Sequence, residues 1–280
     1  MVFYRHFLLI LAISAFFVAG GQAETLVMGV YTSDKPTVMF KKFNPILGHL
    51  QDSAAGQGLP LDFKLRIFPS YRLAVQALAR GAVDFARFGP ASYIHAKEKN
   101  PNIRLLIMEH KKGSKRFKGI FIAPSDSPIR SIHDLKGKTF AFGNPFSTIG
   151  RYLSQAEFVR AKIYAKDLKK YSYLGRHDKV ILAVANGLYD AGVVKENTFR
   201  KYADSRGLKK IGEFPNVTKP WVVRQDFEEK WFRMIQAALL NLKDRILLQA
   251  LGQDGFLLAE DADYDFVRRK MNLSQAFSQE

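Results

Sequence analysis

The sequence contains no cysteine, and this absence removes several kinds of chemistry. A chain without thiols forms no disulfide, has no thiolate nucleophile and offers no thiolate ligand to zinc. Acidic residues are also few, with 26 Asp and Glu against 43 Lys and Arg, so the formal net charge is +17. A field of this sign attracts anions. The composition therefore favours an anionic partner and excludes disulfide-rich and zinc-thiolate folds.

Long uncharged apolar runs are absent after the N-terminus. Arg5 and His6 precede an apolar run over residues 7–19, and small residues follow up to Ala23. The run is shorter than the roughly 20 residues that a spanning helix needs, so residues 1–23 are interpreted as a cleaved secretory signal peptide. Removing them leaves 257 residues with a net charge of +16, enough for one large or two modest domains. The mature chain is expected to be exported and soluble.

The basic residues form short scattered groups, such as Lys111, Lys112 and Lys115, without repeated aromatic residues between them. Nucleic-acid-binding surfaces usually show a concentrated basic patch. We therefore expect no nucleic acid partner, and we interpret these groups as solvated lysines with some attraction for small anions or anionic lipid.

Strand-like runs and amphipathic helices alternate along the chain, a pattern typical of α/β proteins. Basic residues 111–118 and the Pro-containing residues 213–220 are predicted to connect two lobes. The first lobe is expected to contain residues 24–112 and 218–280, including C-terminal helices over 225–251 and 261–271 that pack back on it, and the second residues 113–217. This organisation predicts mixed, mainly parallel sheets with a ligand cleft between the lobes.

Residues 140–150 combine a buried strand, a turn and the hydroxyl pair Ser147 and Thr148 at the start of a predicted helix. The first amides of a helix lack intrahelical acceptors and lie at the positive end of its dipole, so they can bind an oxyanion. The alternative is that Ser147 or Thr148 only caps the helix. The residue pattern is compatible with both interpretations.

Catalytic and metal-binding motifs are missing. The histidines lack metal-ligand spacing, and no Gly-x-Ser-x-Gly elbow is present. Residues 143–150 are not a P-loop, because they lack its Gly-Lys-Ser/Thr ending. We therefore expect no metal, no cofactor and no enzymatic activity.

Several segments in the same order resemble the periplasmic phosphate/phosphite/phosphonate-binding proteins of ABC transporters, a branch of the type II periplasmic binding fold. The segments are residues 69–71, 81–93, 134–138, 144–150, 177–191 and 261–265. The resemblance implies a two-lobed α/β protein of the periplasm that closes on a small oxyanion. It also implies the ligand-binding candidates Ser147, Thr148, the following amides of Ile149 and Gly150, His177, Tyr71, Tyr93, Arg87 and Asn144.

Three positions depart from the pattern of the phosphonate-binding members. Ile149 occupies the place of a third hydroxyl, Phe117 that of a tyrosine, and the acid near Lys219 that would hold an amino group is missing. The missing acid argues against aminoethylphosphonate, because a buried ammonium would lack a counter-ion. Arg87 or Lys195 could replace the missing groups.

Other roles for the charged residues also stay open. Arg87 could instead pair with Asp84 on the surface. Asp178, Asp190 and Glu196 are candidate acceptors for the proton of a phosphate or phosphite, although Asp190 could equally be a structural cap.

The expected function is that of a monomeric solute-binding protein that delivers a phosphorus oxyanion to an inner-membrane ABC permease. An alternative is a ligand-sensing subunit of a membrane signalling receptor with the same fold. A third hypothesis, an enzyme acting on phosphate esters, predicts turnover and sensitivity to chelators.

Overall fold

The computed structural model describes residues 23–279, so the predicted signal peptide lies outside the described residues except for Ala23. In this range the chain alternates between strands and helices, as the sequence predicts. The strands are β1 (Glu24–Tyr31), β2 (Leu61–Phe68), β3 (Phe85–Arg87), β4 (Arg104–His110), β5 (Arg116–Pro124), β6 (Thr139–Phe142), β7 (Lys170–Tyr173), β8 (Ala191–Lys195), β9 (Leu208–Val217), β10 (Pro220–Val223) and β11 (Gly255–Leu257).

The α-helices are α1 (Pro36–Ala55), α2 (Tyr71–Ala79), α3 (Pro90–Lys99), α4 (Ser154–Arg160), α5 (His177–Ala185), α6 (Glu196–Tyr202), α7 (Glu229–Leu240), α8 (Arg245–Leu251) and α9 (Asp265–Ser274). A π-helical segment, Thr148–Leu153, precedes α4. Short 3-10 turns lie at Ile132–Leu135, Ala165–Asp167, Asp204–Arg206, Asp261–Tyr264 and Gln275–Ser278. Across residues 23–279, none of the helices has the length and apolar character needed to cross a membrane.

The strands form two mixed sheets. The first has six strands in the order β11-β4-β10-β3-β1-β2, and the second has five in the order β7-β6-β8-β5-β9. In the first sheet β1 is parallel to β2 and β3, whereas β10 and β11 are antiparallel to their neighbours. In the second, β6, β7, β8 and β9 share one direction and β5 opposes them. Because most strands of each sheet run in one direction, the predicted α/β fold with mixed, mainly parallel sheets is confirmed.

The chain passes between the sheets at two adjacent places. It leaves the first sheet after His110 and returns at Thr218 and Lys219, where the Thr218 amide donates to the Lys115 carbonyl at 2.8 Å. The predicted return connection over residues 213–220 is therefore too long. Residues up to Val217 belong to β9, because they pair with β5 over its whole length. Two short, hydrogen-bonded connections are a suitable place for a hinge.

Helix α1 covers one face of the first sheet with side chains at helical spacing. Met39, Phe43, Ile46 and Leu50 are almost fully buried, and α7 and α8 pack against the same helix. The helix begins at Pro36, whose fixed φ suits the first turn. Its apolar stripe matches the core-facing pattern of an amphipathic helix.

An aromatic core covers the second sheet. Phe140 and Phe158 lie 4.9 Å apart between ring centroids, and Phe142 and Phe277 lie 5.6 Å apart. Phe277 follows α9, which packs mainly on α4 and the π-helical segment. The prediction that this last helix packs back on the first lobe is therefore wrong, because burying Phe277 requires the apolar surface of the second sheet.

Candidate functional site

The carboxyl ends of strands from both sheets meet around a small cavity of about 40 Å³. Tyr31, Arg87 and Lys195 are the last residues of β1, β3 and β8. Ser147 follows β6, and His177 follows β7 at the start of α5. Strand ends and helix starts are where α/β proteins usually bind ligands. The residues that line this small cavity are Tyr31, Ser33, Tyr71, Arg87, Gly89, Pro90, Phe117, Ser147, Thr148, Ile149, His177, Lys195, Asn216 and Lys219.

Ser147 caps the π-helical segment and also lines the small cavity. Its Oγ accepts a hydrogen bond from the Gly150 amide at 3.0 Å, so the capping interpretation is correct for this residue. The amides of Thr148 and Ile149 have no acceptor among residues 23–279. A π-helical turn is often found at a functional site. The segment therefore combines a structural cap with two free amides beside the cavity.

Thr148 joins the two halves of the structure. Its Oγ1 accepts a hydrogen bond from the Ala91 amide at the start of α3, at 3.0 Å. Ala91 belongs to the part of the chain that carries the first sheet, and Thr148 to the part that carries the second. This contact holds the small cavity closed on one side.

His177 is a buried histidine with an unused nitrogen. Its side chain is 7% exposed, and its Nδ1 is buried without a hydrogen-bond partner within the described chain. Burial and the nearby charge of Lys195 lower the pKa of His177 to about 3, so the ring is neutral near pH 7. A neutral imidazole carries one N–H and can donate it to an oxygen in the cavity.

Two stacked tyrosines form another wall. The rings of Tyr31 and Tyr71 lie 3.7 Å apart between centroids, and the Tyr31 hydroxyl accepts from the Gly89 amide at 2.6 Å. Sequence reasoning selected Tyr71 but missed Tyr31. Its position at the carboxyl end of a parallel strand is the signal that could have identified it.

Arg87 lines the small cavity, but its guanidinium is already paired. Its Nε and Nη2 donate to the Glu109 carboxylate at 2.7 and 2.9 Å, and both side chains are buried. The suggested pairing with Asp84 is wrong, because Asp84 pairs instead with Arg224 at 3.0 Å. Lys195 is also paired, with Asp34 at 2.8 Å. Both cations therefore lie beside the cavity with a carboxylate partner of their own.

Three of the predicted ligand-binding residues lie outside the small cavity. Tyr93 donates to Asp261 at 2.5 Å and packs edge-on against Tyr264. Asn144 accepts from the Phe146 amide at 2.8 Å within the turn. The Gly150 carbonyl accepts from the Gly143 amide at 2.9 Å. Each of them makes a structural contact elsewhere in the protein instead.

The candidate proton acceptors are also occupied. Asp190 accepts from the Thr139 amide at 2.7 Å and lies outside the small cavity, in line with the structural-cap alternative. Asp178 pairs with Arg176 at 3.0 Å, and Glu196 pairs with Arg200.

Gly150 is required by close packing, and a substitution tests this. In Gly150→Ala the new Cβ would lie 2.8 Å from the Gly143 Cα and 3.0 Å from the Asn144 nitrogen, both backbone atoms. We expect the free energy of unfolding, measured by urea denaturation, to fall by about 1–3 kcal/mol. Gly48→Ala is the matched control, because a Cβ there meets nothing within 4 Å and the residue lies within α1. That variant should gain about 0.5–1 kcal/mol. Equal stability of the two variants would contradict the packing role.

A larger cavity of about 380 Å³ adjoins the small one. The two share Arg87, Phe117, Lys195 and Lys219 in their walls. Lys219 was missed as a site residue, since a lysine in a polar connection resembles an ordinary surface residue. Its Nζ lies 5.7 Å from the centroid of the Phe117 ring.

Comparison with known protein families identifies the family of a chain with this fold and these cavities. Residues 28–264 match the family model described as "ABC transporter, phosphonate, periplasmic substrate-binding protein". The chain belongs to this family. The resemblance predicted from the sequence segments is thereby confirmed, and members of the family are periplasmic substrate-binding proteins rather than enzymes.

Individual members of the phosphonate-binding family show the same similarity over most of the chain. The chain is 24% identical to a probable ABC transporter phosphite-binding protein, PhnD1, of Prochlorococcus marinus, over 89% of this chain and 90% of that protein. It is 26% identical to the phosphonates-binding periplasmic protein of Escherichia coli, over 89% of this chain and 76% of that protein.

A solved structure of the family shows the same fold. The structure of PhnD1 from Prochlorococcus marinus in complex with methylphosphonate has a TM-score of 0.78 and 24% sequence identity, covering 89% of this chain and 99% of that one.

Proposed function

We propose that this protein binds a small phosphorus oxyanion in the small cavity and delivers it to an inner-membrane ABC permease. The observation that carries the proposal is the buried Nδ1 of His177, which has no partner in residues 23–279 and belongs to a residue that lines the same cavity as Thr148 and Ile149, whose amides are free. Buried polar groups normally have a hydrogen-bond partner. An oxyanion in the cavity would satisfy all three groups, and the helix dipoles of the π-helical segment and α5 would favour its charge.

The family and the size of the site support a small phosphorus oxyanion as the ligand. A cavity of about 40 Å³ suits a headgroup such as phosphate, phosphite or methylphosphonate. Relatives are named for phosphite and phosphonate binding, and one was solved with methylphosphonate. Lys195 and Lys219 place two basic side chains in its wall. The resulting ligand class is a tetrahedral phosphorus oxyanion.

Delivery would depend on hinge closure. The two proposed lobes, one built on each sheet, meet at the Thr148–Ala91 hydrogen bond and the Lys195–Asp34 ion pair. A ligand that contacts both lobes stabilises the closed form by its greater affinity for that form. The permease would then recognise the closed, liganded protein. In this proposal the chain acts as a monomer, is exported through the signal peptide at residues 1–23, and catalyses no reaction. The family match favours transport over the sensory alternative.

Binding can be measured directly after unfolding and refolding the protein to remove any bound ligand. Titration calorimetry with phosphate, phosphite, methylphosphonate, sulfate and selenite should show binding of at least one phosphorus oxyanion, in preference to sulfate. A ligand at one hundred times its Kd should add about 2.7 kcal/mol to the free energy of unfolding. Failure of every phosphorus compound to bind would contradict the proposed function.

Ser147→Ala tests whether the cap residue also contacts the ligand. Loss of a hydrogen bond to a charged group should weaken binding by about 1.5–3 kcal/mol, measured by calorimetry. Asp244→Ala is the control, since Asp244 caps α8 through the amides of Ile246 and Leu247 and lines neither cavity. That variant should lose helix stability but keep its affinity. Unchanged affinity in Ser147→Ala would limit Ser147 to its structural role.

A further inference from the structure

The large cavity continues the small one, so a ligand headgroup held beside His177 would extend its substituent into it. Arg87, Phe117, Lys195 and Lys219 belong to the walls of both cavities. The volume of about 380 Å³ is far more than a phosphate or methylphosphonate requires. The chemistry of its walls should therefore select the substituent on phosphorus.

Positive charge predominates in these walls. Seven Lys or Arg side chains and three carboxylates line the large cavity. The carboxylates are already neutralised, because Asp34 pairs with Lys195, Asp178 with Arg176, and Glu196 with Arg200. None of these three is free to hold an ammonium group of a ligand.

Lys42 and Lys219 are partly buried basic side chains of this wall. Neither has a carboxylate within 4 Å in the described part of the chain, and burial together with nearby positive charge lowers the pKa of both, that of Lys42 to about 8. The Oγ1 of Thr218, next to Lys219, is buried without a hydrogen-bond partner in residues 23–279. Unpaired, partly desolvated cations are unfavourable until an anion approaches them.

We propose that the ligand is a phosphorus oxyanion with a second anionic group on its substituent, a carboxylate or another phosphoryl group, which Lys42 and Lys219 bind in the large cavity. This inference rests on the proposed function, since the first phosphoryl group occupies the small cavity. A phosphonate dianion would leave positive charge in the walls, and a second anion would neutralise more of it. An ammonium substituent would instead meet the two lysines without a counter-ion.

A series of phosphonates that differ only at the end of the chain tests the inference. Propylphosphonate, 3-phosphonopropionate, 2-aminoethylphosphonate and ethane-1,2-diphosphonate carry methyl, carboxylate, ammonium and phosphoryl groups on the same two-carbon spacer. Calorimetry on the refolded protein should give at least tenfold tighter binding for the carboxylate or the second phosphoryl compound than for propylphosphonate. Whichever of the two gains affinity identifies the second group. Equal or weaker binding of both, or a preference for the ammonium compound, would overturn the inference.

Two neighbouring lysines provide a matched pair of variants. Lys42→Met removes a charge from the wall, whereas Lys41→Met removes the same charge from an exposed position in α1 that lines neither cavity. The quantity compared is the ratio of the affinity for 3-phosphonopropionate to the affinity for propylphosphonate. Lys42→Met should reduce the logarithm of this ratio by at least half. Lys41→Met should leave that ratio within twofold of the original protein. The same ratio in both variants would show that Lys42 does not contact the second group.

The two proposals fail in different ways. If methylphosphonate and propylphosphonate bind but the second anionic group adds no affinity, only the inference about the large cavity is wrong. If no compound of the series binds, and phosphate and phosphite do not bind either, the proposed function itself is wrong.

Discussion

Replacing Glu109 with alanine is expected to lower the free energy of unfolding by about 3–5 kcal/mol. The Glu109 side chain is 0% exposed, and Arg87, its partner, is 6% exposed. Burial alone would raise the pKa of Glu109, but the Arg87 charge outweighs it, so the pKa is lowered and the carboxylate stays ionised. Without Glu109, the Arg87 guanidinium would remain buried with no counter-ion. Trp221, whose Nε1 donates to Glu109 at 3.2 Å, would also lose its acceptor.

Urea denaturation at pH 7 measures this loss, and two variants define its cause. Glu229→Ala removes a carboxylate from an exposed pair with Arg104 and should cost less than about 1 kcal/mol. The double variant Arg87→Met with Glu109→Met removes both charges and should be more stable than Glu109→Ala. If Glu109→Ala costs no more than Glu229→Ala, the buried pair does not contribute to stability as the structure implies.

Acidification from pH 7 to pH 4 is expected to remove about 3 kcal/mol of stability through His177 alone. Burial and the charge of Lys195 hold the pKa of His177 at about 3 in the folded protein, against about 6.5 for an unfolded chain. Between these values the unfolded state binds the proton and the folded state does not. The stability contributed by the neutral ring is therefore complete above pH 6.5 and is lost as the pH falls.

Comparison with the His177→Gln variant isolates the effect of His177. The carboxylates titrate in both proteins, so their contribution to the loss of stability cancels in the difference. Urea denaturation of the ligand-free proteins at pH 7 and pH 4 should show a loss about 3 kcal/mol larger in the original protein than in the variant. Equal losses of unfolding free energy in the two proteins would mean that His177 becomes protonated without cost in the folded state. The same low pKa means that, under the proposed function, His177 would donate to the anion as a neutral ring.

Local signals in the sequence were sufficient for several parts of the site. The turn before Ser147 was predicted from residue patterns, because capping and strand-to-helix turns depend on a few neighbouring residues. The alternation of strands and helices and the mixed, mainly parallel sheets were also predicted correctly. Six short segments shared with the family were enough to identify it.

Other parts of the site depend on residues far apart in the chain. The partner of Arg87 is Glu109, 22 residues away on another strand, whereas the acid expected from sequence proximity, Asp84, pairs with Arg224. Tyr93 has no place in the small cavity, because its hydroxyl donates a hydrogen bond to Asp261, 168 residues later. Such choices are made by sheet order and side-chain packing, and neither is encoded in a local pattern.

The sequence by itself determined the class of fold and the family and predicted the turn before Ser147, because these follow from hydrophobic periodicity and short motifs. Only the tertiary structure decided which cations remain unpaired, where the last helix packs, and that a large basic cavity adjoins the small one. Burial and pairing of charges depend on distances between remote segments. Lys42 and Lys41 are neighbours in the chain, and the fold alone places one of them in the wall of the large cavity.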